Sequence, residues 1–160
     1  ELEYVKYVQS MMQGLFGVPA TICVKKSGYR DVYIGSTQIT SWLLGQGLVH
    51  NKVAAQVDLP PWILTCQAYM KSFIRGFFDT DGSVYRLKFG IQISLTNKSL
   101  PLLKSLRKML ITLGYKASEI SSYRVYLTRK ADLNRFFREI RPANSKHLRR
   151  FEEFSHASVG

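Results

Sequence analysis

The sequence predicts an α+β fold of helices over antiparallel β-hairpins, built from two related halves of which the first is incomplete. Three observations carry that reading. Segments with apolar residues at three-to-four spacing alternate with short β-branched and aromatic runs. One order of features (helix, glycine, hairpin, aromatic helix, lysine) occurs twice. An apolar run, Phe73-Ile74-Arg75-Gly76-Phe77-Phe78, ends in two carboxylates and a glycine at Asp79-Thr80-Asp81-Gly82, with a β-rich segment directly behind it.

The elements follow in chain order. Leu2, Val5, Val8, Met12 and Leu15 share one face of an amphipathic helix from Leu2 to Phe16, which Gly17 and Pro19 stop. Thr21–Lys26 and Arg30–Ser36 read as strands around a Ser27-Gly28 turn. Gln38–Leu44 is a short helix closed by Gly45 and Gly47, and Leu59-Pro60-Pro61-Trp62 is a stiff connector, since a residue before proline avoids the helical region. A long helix runs from about Cys66 to Phe78 with Thr65 as cap. Val84–Leu95 is β-like, Ser99–Leu113 a helix ended by Gly114, and Ile120–Thr128 a strand. Asp132–Ile140 is a helix stopped by Pro142, and a basic tail follows through His147, Arg149 and Arg150.

In the repeat, Gly17 corresponds to Gly114, Val32-Tyr33-Ile34 to Val125-Tyr126-Leu127, Trp42-Leu43 to Phe136-Phe137 and Lys52 to Lys146, at offsets of 93 to 97 positions. A counterpart of Asp81 would fall about 13 to 17 residues before Glu1. The first half thus begins at its second helix, and the missing initiator Met agrees with a fragment or a processed product.

Lys and Arg number 23 against 11 Asp and Glu, a net charge of +12. Such a balance attracts polyanions, and with aromatic and β-rich segments it fits a nucleic-acid partner best. At 160 residues and 46% hydrophobic, the chain can bury a core as one domain or two fused halves. Cys23 and Cys66 make no disulfide framework and read as small buried hydrophobes in a reducing compartment. No apolar run reaches membrane-spanning length and no signal-peptide pattern opens the chain, so a soluble, intracellular protein is expected, with no membrane partner.

Two acids crowded at the end of an apolar helix repel one another and are costly to desolvate without a cation or a hydrogen-bond network. They also oppose the helix macrodipole. The window reads either as a solvated helix end with a glycine stop or as an oxygen-ligand site for a divalent cation, and so for phosphate chemistry.

Ile74-Arg75-Gly76-Phe77-Phe78-Asp79-Thr80-Asp81-Gly82 resembles the signature of the LAGLIDADG homing endonucleases, with Arg75 where the name motif has Ala. Asp79-Thr80-Asp81-Gly82-Ser83 also resembles the opening Asp-x-Asp-Gly-Thr of the haloacid-dehalogenase phosphatases. Those enzymes need a further acidic pair, and after Asp81 only Glu119, Asp132, Glu139, Glu152 and Glu153 remain, the last two alone being adjacent. That rival loses its metal site. The LAGLIDADG resemblance covers nearly the whole chain, as a partial first repeat over 1–58 and a complete second repeat over 59–160 with its basic tail.

The resemblance implies sequence-specific cleavage of double-stranded DNA by metal-dependent phosphodiester hydrolysis, with Mg2+ or another divalent cation. Two acidic helices pair at the centre of such a fold, each bringing one acid to the scissile phosphates. Ala68, Ser72, Gly76 and Thr80 recur every four residues, a small-residue stripe that lets a partner helix approach closely. Asp81 matches the metal-binding carboxylate, Thr80 adds a backbone carbonyl, and Asp79 caps or supports the helix end. Lys146, after the last short helix and a Pro, matches the active-site lysine, and Lys52 is its repeat mate; the alternative for each is a solvated surface lysine. Asn97 matches a position where the family often has Gln ordering the water network, and would equally serve as a helix cap beside Ser99.

Along the strands, Arg86, Lys88, Gln92 and Ser94 alternate with Leu87, Phe89, Ile91 and Ile93, and Arg124, Tyr126 and Thr128 with Tyr123, Val125 and Leu127. A period of two places each polar set on one face, suited to base edges in the major groove. Lys25, Lys26 and Arg30 would contact phosphates from the first hairpin tip. With one acidic helix per chain, a missing N-terminal repeat or a second copy would supply the other acid. The alternative is a non-cleaving nucleic-acid-binding module of the same fold, as in RNA-splicing maturases or transcription regulators. An intein endonuclease lacks support, because residue 1 is neither Cys nor Ser and no His-Asn closes the chain.

Overall fold

A computed structural model describes residues 2–50 and 55–156. Lys52 lies outside the described residues. The chain divides into two compact units, Glu1–Leu48 with Ala143–Ser145, and Val49–Pro142 with Lys146–Gly160.

The first unit holds helix α1 (Leu2–Phe16), strands β1 (Thr21–Val24) and β2 (Arg30–Tyr33), and helix α2 (Thr37–Gly45). Gly17 ends α1 at φ +65, a conformation that side chains with a Cβ rarely adopt. The antiparallel register pairs Thr21 with Tyr33 and Val24 with Arg30, and the amide of Gly28 donates to the carbonyl of Lys25 to close the turn. Ser36 caps α2 by accepting from the amide of Ile39. Burial here is sparse: among the described residues of this unit only Val5 and Ala20 are buried, while Leu15, Tyr33 and Trp42 are exposed.

The second unit contains the main core. A 3₁₀ turn (Pro61–Thr65) leads into helix α3 (Gln67–Asp81), then strands β3 (Gly82–Leu87) and β4 (Gly90–Thr96), helix α4 (Leu100–Thr112), strand β5 (Arg124–Leu127) and helices α5 (Lys130–Ile140) and α6 (Ser145–His156). The three strands form one antiparallel sheet in the order β3-β4-β5. One sheet face carries Val84, Ile93, Leu95, Val125 and Leu127, all buried, and the core joins it to Ile74 and Phe78 of α3, Leu106 and Leu110 of α4, and Phe136 of α5. Burying each such side chain stabilises the fold by about 1.5–3 kcal/mol. Asp132, buried in the first turn of α5, accepts from the amide of Lys116, and Arg135 donates to the carbonyl of Leu113. Arg135 also lies over the ring of Tyr115, 4.1 Å from its centroid. These contacts fasten the loop after α4 onto α5.

Several expectations are corrected. The long helix continues through Asp79, Thr80 and Asp81 instead of ending at Phe78, and its cap position is Cys66 rather than Thr65, whose hydroxyl donates to the carbonyl of Trp62. Val84–Leu95 is not one strand but two, folded at Lys88-Phe89 with Leu87 opposite Gly90. The strand expected over Ile120–Thr128 shortens to Arg124–Leu127, because Ser122 and Tyr123 have φ of 48 and 60, incompatible with extended pairing. Cys23 and Cys66 are exposed, not buried.

Candidate nucleic-acid and acid-helix site

The end of α3 is built from its own sequence. Met70, Ile74, Phe77 and Phe78 recur at helical spacing and are buried, which fixes the rotation of the helix about its axis. Phe78 is fully enclosed, with ring centroids 5.0 Å from Phe136, 6.1 Å from Phe137 and 4.6 Å from His147. Helix passes into strand without a loop: the amide of Gly82 donates to the carbonyl of Phe78, and β3 begins at Gly82 itself. A Cβ at Gly82 would stand 2.3 Å from the Phe78 carbonyl oxygen and 2.2 Å from its ring, so close approach demands glycine here. Its φ of −87 is open to any residue.

The two acids separate in environment. Asp79 is buried, and Asp81, the last residue of α3, is exposed. The hydroxyl of Thr80 donates back to the carbonyls of Gly76 and Phe77, and its backbone carbonyl lies past the helical ladder, where it suits a ligand. Lys146 stands exposed in the first turn of α6. The next residue, His147, is buried against Phe78 and seats that turn on the end of α3. Burial pushes the His147 imidazole pKa down; Asp79, through its backbone and its carboxylate, opposes that shift, and Lys146 and Arg150 add to it. His147 was visible in the sequence only as part of a basic tail. Among the described residues no three His, Cys, Asp or Glu side chains converge as a metal cage.

Ala68, Ser72, Gly76 and Thr80 are all exposed, on the side of α3 away from the buried Met70, Ile74 and Phe77. A Cβ at Gly76 would meet nothing within 4 Å. The small-residue stripe is therefore an open helix face.

The hairpin alters the expected recognition face. Cross-strand partners share a face, so Tyr85 with Gln92, Ser83 with Ser94, Ser94 with Tyr126 and Thr96 with Arg124 define the side opposite the core. Arg86 pairs with Ile91 and falls on the core-side parity, at the outer end of the hairpin, so it does not share a face with Gln92. Lys88 is in the turn, its ammonium 5.2 Å from the centroid of Phe89, whose ring is 88% exposed. Ser94 has the expected parity but is only 1% exposed, which withdraws it from direct contact with a ligand. Tyr85, missed in the sequence, takes its place beside Gln92, Arg124 and Tyr126; Thr128 is exposed just past β5. Asn97 accepts from the amide of Ser99, the N-cap residue of α4, through its Oδ1, and that oxygen is thereby engaged. In the first unit, Lys25 pairs with Asp31 at 2.6 Å, which raises the lysine's pKa, while Lys26 and Arg30 are exposed.

Residues 68–141 match the sequence profile of the LAGLIDADG-like domain. The chain carries a LAGLIDADG-like domain. The match spans α3, the whole three-stranded sheet, α4 and α5, and so covers the acid-bearing helix end together with the strands behind it. No curated protein matches the chain. LAGLIDADG proteins bind DNA and often pair, and the family's endonucleases use divalent metals. Among the described residues no helix is long and apolar enough to cross a membrane.

Proposed function

We propose that the chain is part of a homing endonuclease that hydrolyses phosphodiester bonds in double-stranded DNA, and that residues 59–160 are a complete LAGLIDADG repeat and 1–58 a partial one. The observation that carries this reading is an exposed carboxylate, Asp81, at the end of a core-anchored helix whose opposite face is an uncovered stripe of small residues. Asp81 and the Thr80 carbonyl are oxygen donors of the kind Mg2+ takes, typically one or two carboxylates completed by substrate phosphates. They fit half of such a site. The other half comes from a second acidic helix on Ala68, Ser72 and Gly76, supplied by a second copy or a further segment.

A divalent cation would supply charge stabilisation for the attacking and leaving oxygens of an in-line displacement. The chain's own residues hold and neutralise. Asp81 would hold the cation through its carboxylate, and Phe78 and Gly82 keep that carboxylate in register with the sheet. Lys146, with Lys52 as its repeat mate, places positive charge where charge develops on phosphate. Asn97 would order water only through its remaining amide group. Tyr85, Gln92, Arg124 and Tyr126 read base edges from the sheet face opposite the core, and Lys26 and Arg30 contact phosphates.

Asp81→Asn tests the reading, since the carboxylate's charge is needed for the cation and not for base contacts. With duplexes selected from a randomised library, Mg2+-dependent cutting should vanish while gel-shift affinity stays within about threefold, a change under 1 kcal/mol. Undiminished cutting by the variant removes Asp81 from the mechanism. A binding module without cleavage is the second reading, favoured by the single exposed acid at the α3 end. It predicts tight duplex binding with no cutting at any protein concentration.

A further inference from the structure

A cavity of about 460 Å³ lies between α3 and the end of α5, lined by Lys71 and Arg75 from α3 and by Arg138, Glu139 and Arg141 from the end of α5 and the residue past it. Its charges are not balanced. Lys71 pairs with Glu139 at 3.1 Å, and Arg135 lies 3.9 Å from the same carboxylate, so the cavity's only acid is already matched. Among the described residues no carboxylate forms an ion pair with Arg75, Arg138 or Arg141. Three guanidinium charges from two elements therefore border one concave space.

Two of the three are oriented in advance. Arg75 donates through Nε to the carbonyl of Ile140 at 3.0 Å, and Arg141 through Nε to the carbonyl of Arg138 at 3.2 Å. Each bond uses one nitrogen and leaves the paired terminal amino groups of the fork, the geometry that grips a tetrahedral oxyanion. Arg141 also closes α5 in the left-handed conformation, at φ 53, where Gly or Asn is usual. Cations are ordinary at a helix C-terminus. A lone helix end, however, does not call for an arginine from a neighbouring helix tied to its last carbonyl.

We propose that this cavity is a phosphate-binding site. It lies in the helical layer, on the covered side of the sheet, whereas Tyr85, Gln92, Arg124 and Tyr126 are on the other side. A phosphate held here thus belongs to a second ligand or a second nucleic-acid strand, not to the groove that the sheet reads. The inference does not need Asp81, although Ser72 of the small-residue stripe also lines the cavity.

The test uses the full chain and two probes, inorganic phosphate and a short single-stranded oligonucleotide, followed by amide NMR. Both should saturate shifts at Arg75, Ile140 and Arg141. The double variant Arg138→Met, Arg141→Gly removes two charges, and glycine suits the left-handed backbone, so the fold is kept. Affinity for the effective probe should fall by tenfold or more, about what losing one charge-assisted contact costs. Binding of phosphate alone assigns a free phosphate ligand. A much tighter oligonucleotide, equally weakened in the variant, assigns a strand backbone. No saturable shift at these residues, equal affinity in the variant, or saturation by an oligoglutamate peptide where both phosphate probes fail overturns the proposal.

Discussion

Replacing Gly82 with alanine is expected to damage the second unit, while the same change six positions earlier, at Gly76, strengthens it. At Gly82 the added methyl would sit 2.2 Å from the Phe78 ring and 2.3 Å from the Phe78 carbonyl oxygen, where ordinary van der Waals contact begins near 3.4 Å. The ring cannot yield, since it is fully enclosed with Phe136 and His147 against it, and the carbonyl is backbone accepting from Gly82 itself. More than an ångström of displacement is needed. Overpacking of this kind costs roughly 1–3 kcal/mol and occasionally more, and a backbone atom places it at the upper end. At about 2–4 °C per kcal/mol for a chain of this size, the melting temperature should drop by roughly 6–12 °C. At Gly76 the methyl meets nothing within 4 Å in mid-helix, and alanine is favoured there by about 1 kcal/mol. Circular dichroism melts and urea titrations of both variants give the two signs. An unchanged melt for Gly82→Ala would refute the close helix-to-strand junction, and a destabilised Gly76→Ala would show that the stripe is already covered.

His147 has a folded pKa below its ordinary 6.5, because burial disfavours the charged ring. Its contribution to stability is full above pH 6.5 and declines as pH falls toward the folded value, where only the unfolded chain takes up the proton. His147→Phe, keeping a ring against Phe78, should flatten that acid decline in urea unfolding series at pH 5 to 8; an identical slope would contradict it. Burial, followed by the negative charge of Glu139, pushes the Tyr115 phenol up to about 12 against the opposing Arg135 guanidinium, which lies over the ring, so that no well-formed hydrogen bond reaches the buried hydroxyl among the described residues. Tyr115→Phe should therefore be neutral or stabilising by up to about 1 kcal/mol in urea unfolding, and a loss of 2 kcal/mol would reveal a partner. On the sheet, Tyr85→Ala and Arg124→Ala should each weaken selected-duplex binding by about 1–3 kcal/mol in gel-shift titrations, whereas Ser94→Ala should change it little. Equal losses for all three would mean the register does not define the reading face.

Much of the architecture was legible because glycine and proline punctuate it. α1 occupies the predicted Leu2–Phe16, and Gly17 and Gly114, both at positive φ, follow the ends of α1 and α4 where the sequence placed them. The α3 boundary was not legible, since Asp79 and Asp81 oppose the helix dipole and look like a stop. Tertiary burial of Phe77, Phe78 and Asp79 carries the helix past them. The hairpin was hidden for a different reason. Lys88-Phe89 is not an Asn-Gly or Asp-Gly turn, and alternation continues smoothly across it. A missed turn inverts parity, which moved Arg86 off the recognition face and concealed Tyr85. Asn97 carried two readings of similar weight, and its bond to the amide of Ser99 engages only the oxygen of its side-chain amide. His147 and the arginine-lined cavity depend on contacts between distant segments, which no local pattern announces.

The direct passage from α3 into β3 has a mechanical consequence. A flexible connector would let a carboxylate search for its phosphate independently of the strand that reads the bases. Here Asp81 is the residue before the strand, and the Gly82 amide bond to Phe78 locks the two elements together. On the proposed function, acid and hairpin form one rigid calliper. The distance between the bases read and the bond cut is then a property of the backbone, and a duplex docked one step out of register presents the wrong phosphate to the acid.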